Sequence, residues 1–93
     1  MATASSVASS GTFTDGSYTI HREDGYFTPN QTLRVFSYPG VQPTGSNYYS
    51  GESIHYIGYI KVGNFVYVAY KASNGNIHYV AARQNGVALG TFK

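Results

Sequence analysis

Apolar and polar positions along this chain alternate in short runs, and no stretch repeats at helical spacing. Six runs rich in β-branched and aromatic residues stand out: Tyr18 to Ile20, Thr32 to Tyr38, Ser53 to Val62, Phe65 to Tyr70, Ile77 to Ala82 and Val87 to Phe92. Such side chains pack well on a pleated surface, so each run predicts a strand. None carries the i, i+3, i+4 pattern over three turns, and the helix reading fails. Turn signals fall between the runs at Asp24-Gly25, Pro39-Gly40, Gly63-Asn64, Asn74-Gly75 and Asn85-Gly86.

Two hairpins follow from this spacing. Ser53 to Val62 joins Asn64 to Tyr70 through Gly63, and Phe65 to Tyr70 joins Asn76 to Ala82 through Ser73-Asn74-Gly75. Asn-Gly supplies the positive φ angles that a tight hairpin turn needs. In the shared strand, Val66, Val68 and Tyr70 lie on one face and Phe65, Tyr67 and Ala69 on the other. A strand apolar on both faces is predicted to be central and covered twice. The strand count and size point to an all-β domain, a small Greek-key or SH3-like barrel, with an OB-fold as the structural rival.

Length and composition narrow this further. The 93 residues leave room for one domain. Residues 1–10, almost all small or polar, read as linker, which places the folded domain at 11–93 and implies another domain before it. This start has neither a basic nor an apolar segment of the kind a signal peptide needs. Cysteine is absent, so stability must come from packing alone. No run approaches the roughly 18 apolar residues of a spanning helix, and no membrane partner is expected. The net charge of +2 comes from scattered bases, a mild bias toward anionic surfaces and not a nucleic-acid footprint.

The reactive residue types give little chemistry. His21, His55 and His78 sit in separate strands without a metal-ligand spacing, so neither metal nor cofactor is expected. The carboxylates are Asp15, Glu23, Asp24 and Glu52; Glu23 and Asp24 adjoin Gly25 and read as turn chemistry. No serine sits in a nucleophile elbow and no glycine loop could cradle phosphate, so an enzyme is not expected. Ten tyrosines carry the binding hypothesis. A phenol offers a rigid face and a hydroxyl at small entropic cost, which suits a thin polar peptide or glycan. Many of the ten are simply half-buried sheet residues; Tyr18 and Tyr79 are the strongest candidates for a ligand, and Tyr48, Tyr49 and Tyr59 stand between the two readings.

Five ordered segments now carry a resemblance. Gly25-Tyr26-Phe27-Thr28-Pro29-Asn30, Tyr49-Ser50-Gly51-Glu52-Ser53-Ile54-His55-Tyr56, Val66-Tyr67-Val68-Ala69-Tyr70, Asn74 to Arg83 and Leu89-Gly90-Thr91-Phe92-Lys93 keep the order seen in bacterial SH3 domains. Over about three quarters of its length the chain resembles the SH3b domains that end lysostaphin-like endopeptidases and phage endolysins. The resemblance implies an SH3b barrel of short antiparallel strands that binds Gram-positive cell wall without catalysis. It implies a narrow groove between the N-terminal strand and the long middle strand, with Tyr79 lining it. The ligand-binding residues expected on this basis are Tyr18, Ile20, Asn30, Tyr59, Tyr79 and Leu89. Phe27 to Asn30 either only shapes its loop or closes one end of the groove. Three departures are plain: the family's pentaglycine binder has an acid where Gly58 stands, a Trp at Leu89 and a Trp at Tyr67. They favour a crossbridge or stem peptide other than pentaglycine.

The partners implied are a peptidoglycan peptide and an N-terminal catalytic domain in a parent hydrolase, with self-association as a further prospect if the chain is translated independently from Met1. The location implied is extracellular, at the bacterial wall. Two rival functions are single-stranded nucleic-acid binding on an OB-like barrel, which would need strong salt dependence, and SH3-type recognition of proline-rich ligands, which usually needs a Trp and flanking acids.

Overall fold

The computed structural model describes residues 11–93; the expected linker over residues 1–10 lies outside the described residues. Nine strands form the structure: β1 (Thr12–Asp15), β2 (Tyr18–Pro29), β3 (Leu33–Tyr38), β4 (Val41–Tyr48), β5 (Ile54–Val62), β6 (Phe65–Lys71), β7 (Ile77–Gln84), β8 (Val87–Ala88) and β9 (Gly90–Phe92). Among the described residues there is no helix. Neighbours run antiparallel in the order β1-β2-β5-β6-β7-β3-β4, while β8 pairs with β7 and β9 with β2. The chain's last residues thus bridge β7 to the far half of β2, and this bridge closes the barrel.

Strand β6 behaves as its sequence predicts. It lies between β5 and β7, and five successive residues, Val66 to Tyr70, are buried. Val66, Val68 and Tyr70 enter a core with Phe27, Leu33, Val35, Ile54, Tyr56, Val80 and Ala82. Tyr67 and Ala69 enter a second layer with Ile20 and Tyr79, flanked by Phe13, Tyr18, Phe36 and Ile60. The barrel therefore has an apolar interior and a second apolar layer on the outer face of its central strands.

Strand β2 serves both layers because it changes face. Ile20 is buried in the outer layer, whereas Glu23, Gly25, Phe27 and Pro29 are buried from the opposite parity. A register shift between Arg22 and Gly25 provides the switch, since an extra residue in one strand inverts every side chain beyond it. The expected turn at Asp24-Gly25 is thus a bulge inside a 12-residue strand. Glu23 is not turn chemistry either: it is 2% exposed and accepts a 2.7 Å hydrogen bond from the Tyr56 hydroxyl. Burial and this carboxylate together push the Tyr56 phenol well above its ordinary pKa.

Three further expectations change. β1 and β4 were not anticipated as strands; both terminate the strand order, and β4 is exposed along nearly its whole length with Pro43 inside it. A proline that cannot donate to the ladder is tolerated on such an edge. Phe27-Thr28-Pro29 is strand and not loop, with Phe27 and Pro29 fully buried. The Asn-Gly pair with two positive φ angles is Asn85-Gly86 (53° and 80°); at Asn74-Gly75 only the glycine is left-handed.

Candidate functional site

The β1–β2 hairpin folds its tip against β3 and β7. Tyr18 stacks on Tyr38 of β3 with ring centroids 5.6 Å apart and planes at 26°. The Tyr79 hydroxyl of β7 donates to Asp15 Oδ2 at 2.7 Å. Tyr79 itself is fully buried, and its phenol is pushed well above the usual range, first by burial and then by the bond to Asp15. Between the hairpin tip, the β3–β4 turn and the start of β7 lies a cavity of about 330 Å³, walled by Asp15, Ser37, Tyr38, Gln42, Asn76, Ile77 and His78. Gln42 holds a left-handed backbone with φ of 55°.

A larger, open concavity of about 660 Å³ lies beyond His78. Its floor is apolar (Val35, Ile54, Ile57, Tyr70) and its rim polar (Ser46, Asn47, Ser53, Lys71, Asn74). Tyr48, one of the undecided tyrosines, lines it and meets Tyr70 edge-on at 5.5 Å. Burial, reinforced by Tyr48, raises the Tyr70 pKa.

The six expected ligand residues do not converge. Tyr18, Ile20 and Tyr79 belong to the outer layer. Asn30 and Leu89 meet at the other end of β2, where the Asn30 N–H donates to the Leu89 carbonyl at 3.0 Å. Tyr59 pairs with His21 in a stack at 5.2 Å. None of the six lines either concavity. Ile20 and Tyr79 are 0% exposed and lie within the outer apolar layer. Tyr18 stacks on Tyr38, and Asp15, which sequence reasoning passed over, stands on the cavity wall. The one signal that could have found it is its place just before the Gly16-Ser17 tip of a hairpin.

The expected groove between the N-terminal strand and the long middle strand is also displaced. β2 lies between β1 and β5 in the sheet. Above Gly58, the space is filled: an added Cβ would sit 2.6 Å from the His21 carbonyl oxygen, 2.7 Å from Ile20 Cγ2 and 3.0 Å from the Phe13 ring. An acidic residue has no room at this position.

No metal-ligand cluster exists among the described residues. His55 is exposed, bonded to Asp24 at 2.7 Å and stacked on Tyr26 at 4.9 Å. Two of the bases are folded onto rings, Arg22 over Phe13 at 5.0 Å and Arg83 over Phe92 at 4.8 Å, which leaves still less of a cationic track for nucleic acid.

No family model matches the chain. No curated protein matches it by sequence. Solved structures do. The SH3b domain of lysostaphin, in a P4-G5 complex, superposes with a TM-score of 0.75 at 27% identity, over 89% of this chain and 100% of that one. The chain has the SH3b fold. Lysostaphin from Staphylococcus simulans, an antimicrobial peptidase, matches at TM-score 0.71 and 27% identity over 81% of this chain, which spans only 34% of that protein. The cell wall targeting domain of the peptidoglycan hydrolase ALE-1 shares the fold at TM-score 0.70 and 24% identity, over 81% of this chain and 85% of that one. These SH3b neighbours are binding modules and not catalytic domains, in line with the non-catalytic reading of this chain. The OB-fold alternative falls with the assignment, and with it the scaffold of the nucleic-acid reading.

Proposed function

We propose that this SH3b domain is a cell-wall-targeting module that binds the peptide part of Gram-positive peptidoglycan and directs an attached peptidoglycan hydrolase. The observation that carries this is the correspondence, over 89% of this chain and the whole of that one, with a lysostaphin SH3b domain solved with P4-G5. The two concavities agree with it. Both are open, walled by tyrosine, serine and asparagine, and suited to a thin polar chain gripped through its backbone. Single-module affinity is modest in this reading, and the repetitive polymer supplies avidity.

The catalytic partner precedes the domain in the parent protein, a bacteriocin or phage endolysin acting outside the cell. Self-association with a full-length enzyme belongs to the same reading. Within the site, Tyr38, backed by Tyr18, forms the aromatic wall, and Tyr79 fixes Asp15. Asn30, Leu89 and Tyr59 serve as contacts only for a ligand long enough to wrap the barrel.

Sedimentation of the labelled chain with intact cells of several Gram-positive genera tests the proposal, with Tyr38→Ala beside it. Cosedimentation with one group of cells, weakened in the variant, supports wall targeting and narrows the crossbridge chemistry. A folded chain that sediments with no wall overturns it.

A further inference from the structure

We propose that the cavity at the tip of the β1–β2 hairpin is a receptor for a primary ammonium group, carried by the amino terminus or an amine side chain of a wall peptide. The biological source of the amine rests on the wall-targeting reading; the chemistry of the cavity does not.

Asp15 carries the charge of this cavity. No lysine or arginine lines it, although the chain as a whole bears +2. The His78 imidazole is the one basic side chain on the same wall, so an anion entering it would meet the Asp15 carboxylate with no lysine or arginine to offset it. The carboxylate is also preset. Tyr79, fully buried, donates to Oδ2 and fixes how the carboxylate is turned. An ammonium carries three donors and no acceptor, so it needs several acceptors converging on one point. Asp15 supplies the charged one, and Ser37, Gln42 and Asn76, whose side chains carry hydroxyl and amide oxygens, line the same cavity.

Two more features fit a cation. The Tyr38 ring forms part of the wall, and Tyr18 stacks on it at 5.6 Å, which holds its orientation. The face of a phenol attracts cations through its quadrupole. Gln42 reaches the wall from a left-handed backbone at φ 55°, a conformation disfavoured for a residue with a side chain and concentrated at functional sites.

The test uses amine probes in matched pairs: triglycine against N-acetyltriglycine for an amino terminus, and Nα-acetyl-lysine against Nα,Nε-diacetyl-lysine for a side chain. Amide shifts of the whole chain are followed by NMR in the wild type and in Asp15→Asn, which keeps an oxygen to accept from Tyr79. The free amine of one pair is expected to shift the amides of Asp15, Tyr38 and Asn76, its acetylated twin to bind about tenfold or more weakly, and Asp15→Asn to erase that difference. Equal response to both members of each pair, no response to either amine, or an unchanged response in the variant overturns the proposal. Purified walls before and after N-acetylation separate the two readings. Binding of soluble amines without sedimentation on any wall would sink the wall-targeting function and leave the ammonium site standing. Sedimentation indifferent to acetylation and to Asp15→Asn would do the reverse.

Discussion

Alkaline pH should unfold this domain, and the steepness of the loss counts its buried phenols. Tyr56, Tyr70 and Tyr79 are 0%, 8% and 0% exposed, and burial is the leading cause that raises the pKa of each. Tyr67, 6% exposed, moves the same way. An exposed phenol in the unfolded chain titrates near pH 10. Below that pH both states keep their protons and the full stability is present. Above it the unfolded chain releases protons that the folded chain retains, so stability falls as pH rises and keeps falling until pH passes the raised folded values. Each group costs about 1.4 kcal/mol per pH unit in that window. Three groups therefore remove about 4 kcal/mol at pH 11 and about 8 kcal/mol at pH 12. A domain of this size holds only about 5–15 kcal/mol in all, so it should unfold within that window. Urea titrations followed by circular dichroism at pH 8, 10 and 11 give the stabilities directly. With no tryptophan in the chain, tyrosinate absorbance near 295 nm reports ionisation in the same samples. Part of that absorbance should appear together with unfolding. Tyr79→Phe should reduce the slope by about 1.4 kcal/mol per pH unit, one proton's worth. A stability at pH 11 within about 1 kcal/mol of that at pH 8 would refute the reasoning, as would a slope unchanged by the variant.

Three other changes have defined outcomes. Gly58→Ala puts a Cβ against the His21 carbonyl and Ile20, so it should cost about 1–3 kcal/mol in thermal or urea melts, and Gly58→Glu should prevent folding; a native-like melt for the glutamate variant would disprove the close packing. Tyr56→Phe removes a donor from the buried carboxylate of Glu23 and should cost about 1.5–3 kcal/mol in urea titrations, most of it absent when the same change is made on a Glu23→Gln background. Tyr79→Ala should destabilise by about 3–5 kcal/mol and lose wall binding by unfolding, whereas Tyr79→Phe should keep a cooperative melt. Equal melts for these last two would show that the ring does not support the outer layer.

Most of the architecture was legible in the sequence because the strands that form it are apolar on at least one face. β6 declared its central position through two interleaved apolar sets, and both layers of the structure use them as written. β1 and β4 were illegible for the opposite reason. An edge strand needs few apolar residues, and Val41 to Asn47 is exposed throughout, so its hydrogen bonds to β3 leave no periodic trace. The bulge in β2 misled more directly. Glu-Asp-Gly looks like a turn by composition, and only a partner strand pairing with both sides of it shows otherwise. The site was the least legible part. Tyr79 was chosen for its chemistry and its place in a motif, yet it is the support of Asp15 and not a wall of the cavity. Burial of a phenol depends on which element folds across it, and that element, the β1–β2 hairpin, is distant in sequence.

The same hairpin links stability to function. Among the described residues its first strand has only β2 as a sheet neighbour, and side-chain packing holds it over the barrel: Phe13 and Ile20 over Gly58, Tyr18 on Tyr38, and Asp15 on Tyr79. Two of those three contacts also build the cavity. A substitution that loosens the hairpin must therefore open the cavity, and a ligand that fills the cavity must clamp the hairpin. The glycine at position 58 makes this arrangement possible, because any side chain there would lift Phe13 and Ile20 away from the sheet. Gly58 and the carboxylate at the hairpin tip then belong together: with Phe13 and Ile20 covering Gly58, the charge in the proposed ammonium site falls to Asp15, at the hairpin tip.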